Sequence, residues 1–134
     1  MSLTEEERKA ILTYRIVKAK ETLKEAKGIA NLNYWNTVAN RLYYACYYIT
    51  GALLIANNYT AHTHSGVIHL LGLHFIKTGI VSKDSGKIYS KLFELRQSGD
   101  YDDLFDLSEE DVMPLIELAE NYINELDKLI ADQL

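Results

Sequence analysis

Cysteine and proline are almost missing from this chain: Cys46 and Pro114 are the only residues of their kinds. With one thiol no intrachain disulfide can form, so the fold must rest on packing, and the reduced interior of a cell is the expected compartment. No Gly/Ser-rich or low-complexity stretch occurs, which excludes a flexible linker or disordered tail and leaves residues 1–134 as one expected domain. Positive charge is also short, with 14 Lys and Arg against 19 Asp and Glu and a net charge of -5. That balance excludes a protein that binds nucleic acid through its whole surface, while a local basic cleft stays compatible with it. The longest uncharged run, Leu42–Ala56, is too short and too tyrosine-rich to span a bilayer, and Asn57-Asn58 stops it. The opening MSLTEEERK is polar and acidic, unlike a signal peptide, so a soluble cytoplasmic protein with no membrane partner is expected. Neither strand alternation nor an internal repeat is present. P-loop, glycine-rich nucleotide fingerprint, nucleophile elbow and metalloprotease helix are missing too, and no cofactor is expected.

What the chain does have is tyrosine, ten in all, a residue favoured where a ring is buried and its hydroxyl reaches a polar partner, as in subunit interfaces. Four of them lie in the run Val38–Ala56, VANRLYYACYYITGALLIA, whose single formal charge is Arg41. At helical period Leu42, Ala45, Ile49 and Ala52 make one stripe, flanked by the i,i+4 pairs Tyr43–Tyr47 and Tyr44–Tyr48. Such a helix is apolar nearly all round and belongs at the centre of a bundle or in an interface. Arg41 then needs a carboxylate, an aromatic face or an anionic ligand, a structural ion pair being the plainest of these. Cys46, in mid-helix among the tyrosines, reads as small buried packing rather than a nucleophile.

Around this helix the periodicity predicts the others. Thr4 with Glu7 forms a capping box for a first helix with Leu12, Ile16, Ala19, Leu23, Ala26 and Ala30 on its inner face, ending at Gly28 and the Asn31-Leu32-Asn33 turn. Tyr34-Trp35 then starts the central helix, antiparallel to the first. Thr63 or Ser65 caps a third helix running through Val67 to Ile76 and closed by Gly79. A fourth runs from Ser82 to Ser98 with Ile88, Leu92 and Leu95 inside, Tyr89 and Phe93 beside them and Lys83, Lys87 and Lys91 outside; Gly99 ends it and leaves Asp100 to Asp103 in an acidic loop. Ser108 with Asp111 caps the last helix, in which Pro114 predicts a kink or a later start. The class is all-α, an up-and-down antiparallel bundle of four to five helices.

Two clusters offer chemistry. His62, His64, His69 and His74 gather around the third helix, but i+5 steps do not share a face and no Cys or acidic residue completes a ligand set, so no metal is expected. His64, at the helix start, is the one of interest. The other cluster is Leu95-Arg96-Gln97-Ser98-Gly99-Asp100-Tyr101, where an arginine, an amide, a carboxylate and a phenol lie within two turns. A structural reading pairs Arg96 with Asp100, or Asp100 with Arg41; a functional one sets Arg41, Arg96 and a tyrosine such as Tyr44 around a phosphate, which guanidinium forks bind bidentately.

NRLYYACYY followed by GALLIANN, then HTHSGVIHLLGLHFIKTGIV, then KLFELRQSGDYDDLFDLSEEDV, in this order and spacing, resembles the HEPN domain family in its small stand-alone bacterial and archaeal branch. The resemblance implies a usually dimeric bundle tied to RNA metabolism and toxin–antitoxin systems, often with a nucleotidyltransferase partner. Many members are metal-independent ribonucleases with an R-x-x-x-x-H type motif and a polar residue after the arginine. Arg96-Gln97 matches the first part; Tyr101 stands where the histidine is expected, and a phenol is a poor general base at neutral pH. The resemblance, with its histidine missing here, therefore implies first a non-catalytic or regulatory dimeric module that binds a nucleotidyltransferase, a nucleotide or an RNA phosphate through Arg41, Tyr44, His64, Arg96, Gln97 and Asp100. An endoribonuclease using Arg96 with Tyr101 or His64, and a purely structural oligomerisation subunit, are the alternatives.

Overall fold

The structure, a computed structural model, describes residues 3–101 and 105–133, and of Tyr101 the backbone alone. Thr4 opens α1, Glu5–Ala30: its hydroxyl accepts from the Glu7 amide while the Glu7 carboxylate accepts from the Thr4 amide. That reciprocal cap satisfies two orphan donors of the first turn. Gly28 lies inside the helix rather than at its end, and the expected Asn31-Leu32-Asn33 turn follows Ala30; in it Asn33 takes the left-handed conformation at φ 62°, which asparagine tolerates better than most residues. The central helix α2, Trp35–Ala56, returns antiparallel along α1.

Helix α2 is the hub, packed against α1, α4 and α5. Leu42, Tyr43, Ala45, Cys46, Ile49 and Ala52 are fully buried along it, and each large apolar side chain so removed from water contributes roughly 1.5–3 kcal/mol before entropy is counted. Thr63 caps α3, His64–Leu71, by accepting from the Gly66 amide. The predicted third helix does reach Ile76, but its second part, Gly72–Ile76, widens into a π-helical segment. Helix α4, Lys83–Tyr101, begins beside Ser82, whose amide and hydroxyl both donate to the Glu125 carboxylate of the last helix at 2.9 and 3.0 Å. A carboxylate there complements the helix dipole and ties the two elements together.

Two expectations are corrected. Helix α4 does not stop at Gly99; it passes through it, so Asp100 lies on the helix rather than in a loop. Gly99 serves a neighbour instead, since a Cβ there would come within 3.3 Å of the Phe105 ring. Nor does Pro114 delay the last helix: α5, Glu109–Asp132, starts at the Ser108–Asp111 capping box and runs through it. The proline falls near the helix start, where the carbonyl it leaves unpaired belongs to the exposed first turn, so little is lost. Pairs Lys20–Asp127 at 2.8 Å and Lys27–Glu120 at 2.9 Å link α1 to α5 on the surface, where such pairs contribute little. The described residues form an all-α helical bundle with no strand.

Candidate functional site

Three tyrosines of α2, Tyr43, Tyr44 and Tyr47, meet His64 at the start of α3, and Tyr43 also meets Arg96 near the end of α4. Tyr43, fully buried, bonds His64 Nδ1 through its hydroxyl at 2.7 Å. Burial pushes the Tyr43 phenol up to about 12, so it is protonated at neutral pH. A protonated hydroxyl at this distance donates to Nδ1 when the imidazole proton is on Nε2, and accepts from Nδ1–H in the other tautomer. The ring of His64 lies against Tyr47 with centroids 4.6 Å apart and edge-on to Tyr44 at 5.8 Å. Partial burial, then the charge of Arg96, lower the His64 pKa, with Asp100 pulling the other way. At neutral pH His64 is therefore a neutral imidazole.

Arg96, on α4, is held over the Tyr43 ring at 5.9 Å, within cation–π range. Its side chain is 18% exposed, its Nη2 stands 3.4 Å from Asp100, one helical turn away, and its buried Nε meets no acceptor among the described residues. Burial opposes its charge, but the Tyr44 phenol and the Asp100 carboxylate beside it more than offset this and hold the pKa above its ordinary value. Asp100 is a half-open partner, 40% exposed, so the pair is only partly withdrawn from water. Beside it opens a cleft of about 530 Å³ walled by Asn36, Thr37, Asn40, Arg96, Asp100 and Phe105. Asn36 builds one wall: its amide oxygen accepts from the Leu107 amide at 2.8 Å and its Nδ2 donates to the Phe105 carbonyl at 3.4 Å, pinning that segment to the start of α2. A cationic group with spare donors at the edge of a polar cleft can hold an oxyanion.

Of the residues singled out from sequence, Arg96, Asp100, His64 and Tyr44 are brought together. Arg41 is adjacent rather than central. It donates to the Asn40 side-chain oxygen at 2.9 and 3.3 Å and covers the Tyr44 ring at 5.2 Å, with no carboxylate in ion-pair range among the described residues. Its anchor, Asn40, is a cleft wall, though Arg41 is not. Gln97 is exposed on the outer side of α4. The Tyr101 side chain, and Asp102 and Asp103, lie outside the described residues. Sequence reading missed Tyr43 as the group that orients His64, and missed the cleft walls Asn36, Thr37, Asn40 and Phe105. A buried tyrosine in an aromatic run gives no hint of its partner, and Asn36 looks like an ordinary helix-start residue. Cys46 is fully buried, and burial pushes its thiol up, away from the reactive thiolate.

Comparison with known proteins agrees with this architecture. The family profile described as HEPN domain matches residues 12–129. A "UPF0332 protein" of Thermotoga maritima is 38% identical over 94% of this chain and 96% of its own length. Two proteins of Methanocaldococcus jannaschii are also similar: "Putative toxin MJ0605", 30% identical over 87% of this chain and 86% of its own, and "Putative toxin MJ0142", 25% identical over 86% and 78%. No helix among the described residues is long and apolar enough to cross a membrane. A helical bundle with its arginine near the end of α4, matched by the family profile over most of its length, makes this chain a member of the HEPN domain family.

Proposed function

We propose that this protein is a HEPN module that recognises the phosphate of an RNA or nucleotide at the Arg96 cleft without cleaving it, in a toxin–antitoxin setting. The observation that carries the reading is Arg96 itself: a largely buried guanidinium, 3.4 Å from the one carboxylate paired with it among the described residues and with no partner for its Nε among them, beside a polar cleft. The names of the two M. jannaschii relatives support the setting. His64 supports binding over cleavage. In the tautomer in which Tyr43 donates to Nδ1, the free nitrogen carries a proton and offers it to an anion, whereas a general base must present a lone pair there. A symmetric dimer and a nucleotidyltransferase partner, as the resemblance implies, complete the proposal; solution mass and co-purification with that partner test them.

One observation favours a second reading, metal-independent RNA cleavage: α3 delivers a neutral imidazole close enough to Arg96 to feel its charge. Anisotropy of a labelled single-stranded RNA in EDTA, followed by a denaturing gel of the same samples, separates the two. Binding that falls at least tenfold in Arg96→Ala, with intact RNA, is the expected result. Cleavage lost in both Arg96→Ala and His64→Ala makes the enzyme reading the correct one, and no binding and no cleavage rejects both.

A further inference from the structure

Away from Arg96, between α1, the middle of α2 and the segment leading into α3, lies a cavity of about 310 Å³. Its polar groups are unusual in an acidic protein: the cavity contains Arg15 and the rings of Tyr14, Tyr47, Tyr48 and Tyr59, and no carboxylate among the described residues lines it. Arg15 is set there by a gap in the neighbouring helix. Its Nη1 donates to the Gly51 carbonyl at 3.0 Å, and a Cβ on residue 51 would come within 3.3 Å of the same nitrogen and 3.5 Å of Arg15 Cδ. Glycine in mid-helix is unfavourable, and here its missing side chain makes the notch in which the guanidinium lies. Arg15 makes no ion pair among the described residues. One wall is stiffened by Tyr59, stacked on His74 at 4.3 Å and 14°, and Tyr14, which also lines the cavity, is 64% exposed.

We infer that this cavity is a nucleotide site distinct from the Arg96 cleft, its tyrosines stacking a planar base and Arg15 meeting the phosphate. The volume lies at the lower end of small-ligand pockets, matching one nucleotide, and aromatic rings with a nearby guanidinium are the combination that holds single nucleotides without reading sequence. Tyr47 belongs both to this cavity and to the His64 contact, so a base here and a phosphate near Arg96 are neighbours along one tyrosine face. The same chemistry belongs to a free mononucleotide and to one residue of single-stranded RNA.

Calorimetric titration of the full chain with AMP, UMP and single-stranded hexa-adenylate tests this. Gly51→Ala fills the notch, so that the flexible end of Arg15 must give way by a few tenths of an ångström, and leaves the helix intact; Tyr48→Leu keeps apolar volume and removes the ring. Tyr48→Leu is expected to weaken binding roughly tenfold, the size of one stacking contact, and Gly51→Ala by a smaller factor, with its melting temperature no lower than wild type. In Arg96→Ala a mononucleotide-binding component should remain that Tyr48→Leu removes. Pocket-sensitive binding of AMP or UMP as tight as that of hexa-adenylate assigns the site to free nucleotides, and pocket-sensitive binding of hexa-adenylate alone assigns it to RNA. The inference is overturned if no probe binds, or if Gly51→Ala and Tyr48→Leu change nothing. Should hexa-adenylate binding be lost in Arg96→Ala and untouched by both pocket variants, the Arg96 reading stands and this one falls.

Discussion

Helix α2 carries tyrosines into two different environments. On the side facing α4 and α5, Tyr43 meets Tyr89 at 5.8 Å, and Tyr89 stacks on Tyr122 at 5.7 Å, all three rings sealed from solvent. Tyr44, Tyr47 and Tyr48, on the next faces of the same helix, stay partly open and meet His64, Arg41 and the Arg15 cavity. Helical phase alone separates them. The sealed rings hold the bundle together, and the open rings are the ones left to meet a ligand. Tyr43 joins the two regions, its ring in the core and its hydroxyl on His64.

Truncation breaks the contrast most sharply. Tyr122→Ala should destabilise the fold by about 3–5 kcal/mol in urea denaturation, as large-to-small changes of buried rings do, whereas Tyr48→Ala should lie within about 1 kcal/mol because its ring is already partly hydrated. Equal losses would erase the distinction between the regions. Single hydroxyls sharpen it further. The Tyr122 hydroxyl donates to Thr50 at 2.6 Å while Thr50 donates to the Cys46 carbonyl at 2.7 Å, so Tyr122→Phe should lose about 1 kcal/mol. The Tyr89 hydroxyl is buried without a partner among the described residues, so Tyr89→Phe should be neutral or gain up to about 1 kcal/mol.

Acidification gives the smallest and most local effect. Because the His64 pKa is lowered in the fold, the unfolded chain takes up that proton first as pH falls. Stability should be level above the ordinary histidine value of about 6.5 and decline below it until the folded His64 itself protonates. Replacing His64 by Gln should remove that slope. The depressed Glu7 and Asp111 carboxylates act lower still, contributing above the ordinary carboxylate range and losing this as pH falls through their folded values.

Much of the fold was legible because its signals are local. Thr4 with Glu7 and Ser108 with Asp111 announced two helix starts through side chains only three residues apart. The same local rules misplaced the end of α4, since Gly99 looks like a terminator and in fact admits the Phe105 ring. That error mattered for the site, because it put Asp100 in a loop instead of one turn from Arg96. The link between His64 and Arg96 runs through Tyr43, and Arg15 reaches Gly51 across two helices; neither relation has a sequence period to reveal it. Arg41 drew attention as a lone charge in an apolar run, yet the structure satisfies it with Asn40 and Tyr44.

The most direct measurement is the pH titration of the His64 imidazole by NMR, with and without a short single-stranded RNA. A phosphate held beside Arg96 should raise the His64 pKa, and Arg96→Ala should abolish that response. Superimposable titration curves in the presence and absence of RNA would contradict phosphate recognition at this cleft.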